Sequence, residues 1–447
     1  MIVSETMIIL GAVYAAALIR FGEREFAFID DDLPKALIIA GVTQVCLYLA
    51  DLYDFRVITD RRELFVQSVQ ALGAASLILA AVYYWFPEMV VGRGVFALTA
   101  VLVMTLVFGW RLVFEWTSRH LAPRQRLLVV GTTDAAARLG RELHGRADLG
   151  VEIVGFIDPD PAKLGTPMFN PAVIGTIEDI PAIVRARNVD RVVVSLSDAR
   201  GKLPMDKLLD MRLQGVRFEH LASIYERYTG KIAVDNLRPS WLIFSEGFRN
   251  NRLQDLAKRG LDVMLSAACL VVALPIMAVI ALAVRWSSPG PALYHQERVG
   301  QHGRVFVIHK FRSMRSDAER DSGAVWAQAD DTRVTPIGAI LRRTRLDELP
   351  QLWNVLCGHM SIVGPRPERP EFVTGLTKQI PYYGQRHTVR PGLTGWAQVR
   401  YTYGASVEDA LMKLQYDLYY IKNRSLAFDL FIMLKTVKTV LMRKGGQ

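Results

Sequence analysis

Two adjacent carboxylates, Asp347 and Glu348, stand in the stretch RRTRLDELPQLWNVL, between the cations Arg342, Arg343 and Arg345 and an apolar repeat. Leu349, Leu352, Trp353 and Leu356 recur at helical spacing. Pro350 then belongs in the first turn, where its missing N–H costs nothing. The pair therefore falls at or just before a helix N-terminus. Unpaired N–H groups and the positive end of the dipole favour an anion there. Taken alone, Asp347 is equally well an ordinary helix cap with solvated arginines beside it.

The surrounding residues add a second reading. Lys310, Arg312 and Arg315 cluster within six residues. GHMSIVGPRPERPEF and RHTVRPGLTGWAQVRY are rich in Gly and Pro yet poor in the small polar residues of a flexible linker. They predict rigid loops with exposed backbone N–H groups, and Arg366, Arg386, Arg390 and Arg400 lie in or beside them. Guanidinium groups around a carboxylate pair suit a phosphate site. Diphosphate chemistry commonly uses Mg²⁺, held by one or two carboxylates plus phosphate oxygens. Asp347 and Glu348 are the candidate metal ligands, and the pair would also supply a nucleophile. His295, His309, His359 and His387 lack zinc-type spacing and are read as structural or substrate-contacting. Trp353 and Trp396 are expected in the core.

The elements that must position these residues follow. RVFVIHKF alternates like a strand, and GQHG before it suits a hairpin. Leu261 to Trp286 is long and apolar enough to span a bilayer, but Pro275 near its middle would kink it. Both flanks are basic, so a re-entrant helix with both ends on one face is expected, with Ser266 a candidate partner for freed carbonyls. FDLFIMLKTVKTVLMRKGG, with Lys435, Lys438, Arg443 and Lys444 interspersed, suits an amphipathic helix on a membrane surface.

Upstream, RLLVVGT, DAAARLGREL, VEIVGFIDPD, DIPAIVRARN, VDRVVVSLSD and GVRFEHL alternate strand and helix, which implies a parallel sheet. The turn GTTDAAARLG keeps only Gly131 and Gly140 of a dinucleotide fingerprint, so a structural or regulatory role is expected over nucleotide binding. Four apolar runs open the chain, Met7 to Ile19, Ala36 to Ala50, Leu64 to Phe86 and Val95 to Val113. The loop cations (Arg20, Arg24, Lys35 and Arg93 against Arg56, Arg61, Arg62, Arg111, Arg119, Arg124 and Arg126) favour four spans with both termini inside. Hydrophobic residues make up 51% of the 447, and the net charge is +10, which suits anionic lipid, nucleic acid or a phosphorylated substrate. Cys46, Cys269 and Cys357 form no disulfide pattern and are read as reduced packing residues.

GPALYHQERVGQHGRVFVIHKFRSMRSDAE, LDELPQLWNVLCGHMSIVGPRPE and RPGLTGWAQV together resemble the bacterial sugar transferases, the monotopic phosphoglycosyl transferases. The resemblance covers about Leu261 to the C-terminus. It implies transfer of a sugar-1-phosphate from a UDP-sugar to undecaprenyl phosphate with release of UMP, at the cytoplasmic face of the bacterial inner membrane. It implies Asp347 as nucleophile on the β-phosphorus, Glu348 as metal support or activator of the acceptor phosphate, and Mg²⁺ as cofactor. Lys310, Arg312, Arg345, Arg366, Arg390 and Gln398 become the implied substrate-binding residues, and Pro275 the kink of the re-entrant helix. The expected architecture is a membrane protein of mixed class. It has a four-helix transmembrane bundle (1–120), an α/β Rossmann-like middle domain (125–245), and a re-entrant helix with an α/β catalytic domain (255–447). Nucleic acid is not expected as a partner, and a homo-oligomer stays open. The rival readings are a membrane-anchored nucleotide-sugar epimerase or dehydratase and a non-enzymatic membrane scaffold or nucleic-acid binder that uses the positive charge. Against the first stand the lost glycine fingerprint and the lack of a Tyr-x-x-x-Lys pair in the middle segment.

Overall fold

A computed structural model describes residues 1–22, 33–50, 52–53, 61–89, 92–120, 124–144, 149–168, 171–195, 205–234, 247–248, 252–315, 318, 333–401, 404 and 406–441. The loop cations Arg24 and Arg56 and the terminal Arg443 and Lys444 lie outside these residues. Two compact units result, Met1–Arg126 with Leu143–Glu152, and Leu127–Glu142 with Ile153–Gln447.

The first unit holds the apolar helices α1 (Ile2–Phe21), α2 (Leu33–Leu49), α3 (Arg61–Trp85) and α4 (Arg93–His120). α1, α3 and α4 are long and apolar enough to cross a membrane, whereas α2 has 17 residues and is shorter. Ile9, Ala12, Ala40, Leu47, Leu64 and Val107 share one core. Inside it, fully buried Arg111 pairs with fully buried Glu5 at 2.9 Å. Its guanidinium also donates to Leu52 O. Tyr53 completes the cluster by donating its hydroxyl to Glu5 at 2.6 Å. Pairing is what makes two buried charges tolerable there.

In the second unit, the sheet runs β3-β2-β1-β4-β5 among the described residues, with β1 (Gln125–Val130) central. Its other strands are β2 (Val151–Ile157), β3 (Val173–Gly175), β4 (Arg191–Val194) and β5 (Arg217–His220). β1 and β4, β2 and β3, and β4 and β5 pair in parallel. The alternation of apolar runs and helices predicts this arrangement. The connecting helices α5 (Asp134–Leu143), α6 (Ile180–Ala186) and α7 (Met205–Leu213) bury Ile180, Val184, Leu208 and Met211 on the sheet side. At the strand ends, Thr132 donates to the Asp158 carboxylate, and Lys163 pairs with the same group at 3.2 Å. After β5, α8 (Leu221–Thr229) leads into a strap at Gly230–Val234. Ile232 and Val234 are buried among Leu376, Tyr383, Leu414 and Leu418. Trp396 donates its indole N–H to Gly230 O at 2.8 Å, and Lys422 pairs with Glu226 at 2.6 Å. The sheet and the C-terminal domain thus belong to one compact body.

The long helix α9 (Arg252–Ser287) continues through Pro275 without interruption. Its 36 residues reach about 54 Å at 1.5 Å per residue. Proline still removes the hydrogen bond to Val271 O. Ser266 does not replace it, because its hydroxyl donates to Val263 O at 3.2 Å. The middle of α9 turns Val271 (70% exposed), Val272 (71%) and Val279 (66%) outward. Both ends are held by the same domain. Near the N-terminus, Asp255 pairs with Arg424 at 2.5 Å and Lys258 with Asp429 at 2.7 Å. Near the C-terminus, Ile280 and Val284 pack on Phe311 and Leu341. Arg312 gives hydrogen bonds to Ser288 O at 2.7 Å and Pro289 O at 3.0 Å.

The C-terminal domain continues with the antiparallel hairpin β6 (Leu293–Val299) and β7 (Val305–Phe311), turned at Gln301–Gly303 as expected. Then come α10 (Pro336–Thr344), a 3₁₀ turn at Leu346–Glu348, α11 (Gln351–Leu356) and β8 (Ser361–Val363). The chain ends with α12 (Pro370–Gln379), β9 (Gly392–Thr394), α13 (Trp396–Arg400), α14 (Val407–Lys422) and α15 (Leu426–Leu441). α15 is amphipathic with a twist. Asp429 and Lys438 are buried, whereas Leu430, Phe431, Leu434 and Val437 are exposed. The charged side therefore faces protein and the apolar side faces out, as a lipid-facing helix requires. Two packing expectations fail. Trp353 is 55% exposed, although Trp396 is core as expected. Cys269 and Cys357 are exposed, and only Cys46 is a buried packing residue.

Because one domain grips both ends of α9, those ends should face the same side of a membrane. Cysteines placed singly at Gln254 and Gln301, in a background without the native three, should label from the same side with an impermeant maleimide. Labelling from opposite sides would establish a full crossing. Pro275→Leu should shift the pattern toward that crossing by restoring the missing hydrogen bond.

Candidate active site

The carboxylate pair is delivered by an unusual turn. Thr335 caps α10 by accepting from Gly338 N at 3.0 Å, with Pro336 in the first turn. Gly338 permits the packing of α10 on the end of β7, since a Cβ there would meet Ser313 O at 1.9 Å. α10 then ends at Arg345, which is left-handed at φ 58° and ψ 15°. A non-glycine residue holds that conformation at a cost of about 1 kcal/mol or more. The reversal aims Leu346–Glu348 back toward β7 and buries both carboxylates, Asp347 at 7% exposure and Glu348 at 8%. Pro350 precedes the first residue of α11, so the pair lies just before a helix start, as expected.

Glu348 gathers cations from three segments. Arg366 reaches Oε1 at 2.5 Å, and Lys310 and Arg345 reach it at 3.6 Å. Lys310 comes from β7, where Tyr294, Gln296 and Arg298 of β6 share its cavity-facing side. The position of β7 is itself fixed by Asn354 of α11, whose side chain is a substitute strand. Its Oδ1 accepts from His309 N at 3.1 Å and its Nδ2 donates to Val307 O at 2.7 Å.

Asp347 has a different environment. Its Oδ1 is buried and accepts no hydrogen bond. Burial first, and then the charge of Glu348, hold its carboxyl above the ordinary aspartate range. Burial alone would also raise Glu348, but Arg366, Lys310 and Arg345 overcome it and hold that carboxyl far below its usual range. Adjacent residues thus have opposite proton affinities.

Both carboxylates open on a cavity of about 380 Å³. Among the residues singled out in the sequence, Lys310, Arg312, Arg315, Arg342, Arg345, Arg366, Arg386 and Gln398 line it beside the dyad. Arg390 is not among the residues that line it. Arg312 lines the wall, and its guanidinium also donates to the Val284 and Ser288 carbonyls at the end of α9. Arg386 is likewise engaged. It is 5% exposed and bonded to Asp417 at 2.9 Å and to the Tyr383 hydroxyl at 2.6 Å. The four histidines stay outside the lining. His295 and His309 face each other at 2.8 Å between their Nδ1 atoms, and His359 stacks on Phe306. Sequence reasoning missed Arg298, Arg333 and Arg369 in the wall. Their only local signal was strand alternation or a Pro-rich loop.

Among the described residues no group of three or more His, Cys, Asp and Glu is placed to hold a metal ion. Asp347 nevertheless lines the cavity, and its Oδ1 is a buried acceptor without a hydrogen bond. One carboxylate completed by diphosphate oxygens and water is a donor set that suits Mg²⁺.

Residues 253–443 match the bacterial sugar transferase family, and residues 48–204 match a CoA-binding domain family. An Aeromonas hydrophila protein named UDP-N-acetylgalactosamine-undecaprenyl-phosphate N-acetylgalactosaminephosphotransferase is 41% identical over 228 residues. That match covers 51% of this chain and 53% of the relative, so the chain spans about half of that protein's length. A Xanthomonas campestris pv. campestris protein named UDP-glucose:undecaprenyl-phosphate glucose-1-phosphate transferase is 34% identical, over 72% of this chain and 67% of the relative. An Escherichia coli K12 protein with the same name is 32% identical, over 78% of this chain and 75% of the relative. The dyad, its cations and its cavity all fall within the matched region, and the chain belongs to the bacterial sugar transferase family.

Proposed function

We propose that this chain transfers a sugar-1-phosphate from a UDP-sugar to undecaprenyl phosphate and releases UMP, as the first membrane step of an exopolysaccharide, capsule or O-antigen. The observation that carries the mechanism is the contrast within the dyad. Asp347 offers a buried, unsatisfied carboxylate oxygen, while Glu348 is neutralised by Arg366, Lys310 and Arg345.

In the first half-reaction an Asp347 oxygen attacks the β-phosphorus. The bond from that phosphorus to the bridging oxygen breaks, and UMP leaves with the electron pair. The sugar phosphate is then carried as an acyl phosphate on Asp347. In the second, an oxygen of the lipid phosphate attacks the same phosphorus, and the aspartyl oxygen leaves as carboxylate. Two in-line displacements return the residue to its starting state. Lys310, Arg345 and Arg366 balance the charge on the phosphoryl oxygens, preorganised in a site largely shielded from water.

Glu348 is too weakly basic to serve well as a general base. The geometry supports it as the anion that collects the cations. With those cations drawn to substrate phosphates, Glu348 would be available as a second metal ligand. Mg²⁺ would be held by Asp347 and the diphosphate and, when bound, would neutralise charge on the leaving phosphate.

The membrane placement belongs to the same proposal. α1 to α4 form a four-helix transmembrane bundle, and α9 enters and leaves the inner membrane on its cytoplasmic face. The two gripped ends of α9 and the outward apolar sides of α9 and α15 support this reading.

If Asp347 carries the phosphosugar, Asp347→Asn should lower turnover by about a thousandfold or more while the protein stays folded, since an amide is no nucleophile. The wild-type enzyme, given Mg²⁺ and the right UDP-sugar but no lipid, should release about one UMP per active site and then stop. Mass spectrometry should locate the adduct on the Asp347 peptide. Intersecting double-reciprocal lines without an adduct would reduce Asp347 to a ligand and make the lipid phosphate the direct attacker.

The nucleophile must be ionised. Its raised proton affinity therefore places the acid limb of kcat/KM above the ordinary aspartate range, with activity lost as pH falls through it. Glu348→Gln removes a charge that raises Asp347, so the limb should move to lower pH even as the rate drops about a hundredfold. A limb that stays put, or moves up, would assign it to another group.

A further inference from the structure

Arg366 makes the shortest contact in the site, and the chain that carries it is held along its length. Val363 O lies within hydrogen-bond reach of three side-chain donors, Lys258 Nζ at 3.1 Å, Ser361 Oγ at 3.0 Å and the Tyr420 hydroxyl at 3.1 Å, whose single proton it shares with Asp429. Asp429 bridges two of these donors, reaching Lys258 at 2.7 Å and accepting from Tyr420 at 2.8 Å. Ile362 N donates to Asp262 at 3.0 Å. Beyond Val363, Gly364 O lies in a crevice where a Cβ on Gly395 would come within 2.2 Å of it. Pro365 O accepts from Gly392 N at 2.9 Å, Arg366 O from Arg386 at 2.9 Å, and Pro367 O from Arg298 at 3.1 Å. Prolines on both sides of Arg366 restrict its backbone further.

The first two anchors come from membrane elements. Lys258 and Asp262 are on α9, and Asp429 is on α15. Asp255, Arg259, Asp262 and Ser266 recur at helical spacing along the side of α9 that meets the catalytic domain. Arg259 from that side donates to Val355 O at 2.7 Å and Leu356 O at 2.8 Å, at the end of the helix that follows the dyad. A four-group cluster so thoroughly buried exceeds what is needed merely to join helices. Asp429 is 1% exposed and Asp262 is 3% exposed.

We propose that Lys258, Tyr420 and Asp429 are positioning residues for Arg366, transmitting the seating of α9 and α15 to the active site through the carbonyl of Val363. None of them touches the cavity; their effect on catalysis passes through the alignment of Arg366 against Glu348 and the incoming phosphate. The inference rests on the reading of Asp347 as nucleophile and Arg366 as phosphate-binding cation.

Rapid-quench measurement of UMP release by the full-length membrane enzyme, without lipid acceptor, separates alignment from folding. Tyr420→Phe and Lys258→Met should keep a burst amplitude near one UMP per site and a UDP-sugar KM within about twofold. Their burst rate should fall about ten- to a hundredfold, the effect of misplacing a catalytic group by about an ångström. Lys258→Arg keeps the charge and a donor and should restore most of the rate. A purely structural role would lower the amplitude, because fewer molecules fold, and leave the rate of the folded ones unchanged. That result, or wild-type rates in both variants, would overturn the proposal. Absence of a burst in the wild-type enzyme with every UDP-sugar tried would instead overturn the covalent reading beneath it.

Discussion

A carboxylate cannot be buried alone, and Glu348 is buried. Removing it from water costs several kcal/mol unless opposite charges follow it inside. Lys310 follows from a strand, Arg345 from the end of a helix, and Arg366 from a Pro-rich loop. Each of those elements is then fixed by something else. Asn354 holds the strand, the left-handed Arg345 ends the helix, and the Val363 carbonyl anchors the loop. The neighbouring Asp347 is raised first by its burial and then by the charge of Glu348. The cations gather on Glu348, and Asp347 Oδ1 is left without a hydrogen bond.

Much of this was legible in local pattern. The alternation of strands and helices in the middle segment follows from periodicity, and the structure returns a parallel sheet with β1 at its centre. The dyad before a helix start followed from Pro350 and the spacing of leucines. The destination of each arginine was illegible, since charge and loop position are the same for one that binds phosphate and one that clamps a carbonyl. Arg312 and Arg366 look alike in sequence. Only the fold shows that the first donates to the end of α9 and the second pairs with the dyad. Trp353 misled for a related reason, because helical spacing identifies a stripe without saying whether protein covers it. Glu5 and Arg111, 106 positions apart, form their pair through tertiary contact that no window of sequence contains.

The two apolar helices of the catalytic half invert the usual soluble arrangement. α15 buries Asp429 and Lys438 and exposes its aliphatic residues. α9 carries its polar groups along the side that meets protein and turns valines outward. In water this would expose a large apolar patch, which soluble proteins avoid. At a membrane it is the stable arrangement, because protein contacts satisfy the charges and lipid covers the rest. The same polar side that makes these helices cohere with the domain ends on Val363 and Val355, beside the loop and the helix that frame the dyad.

If the acceptor is a polyprenyl phosphate, as proposed, its phosphate lies at the bilayer surface, and a nucleophile that serves it must be held at a fixed depth. A catalytic loop tethered to freely moving segments would meet the soluble donor well and the lipid acceptor poorly. Here Lys258 and Asp429, each on a helix with an exposed apolar side, bond directly or through Tyr420 to the carbonyl three residues before Arg366. On the proposed reading, the depth of the helices and the alignment of the arginine are one variable, and both phosphoryl transfers would use the same cations, because the elements that would locate the second substrate also build the site.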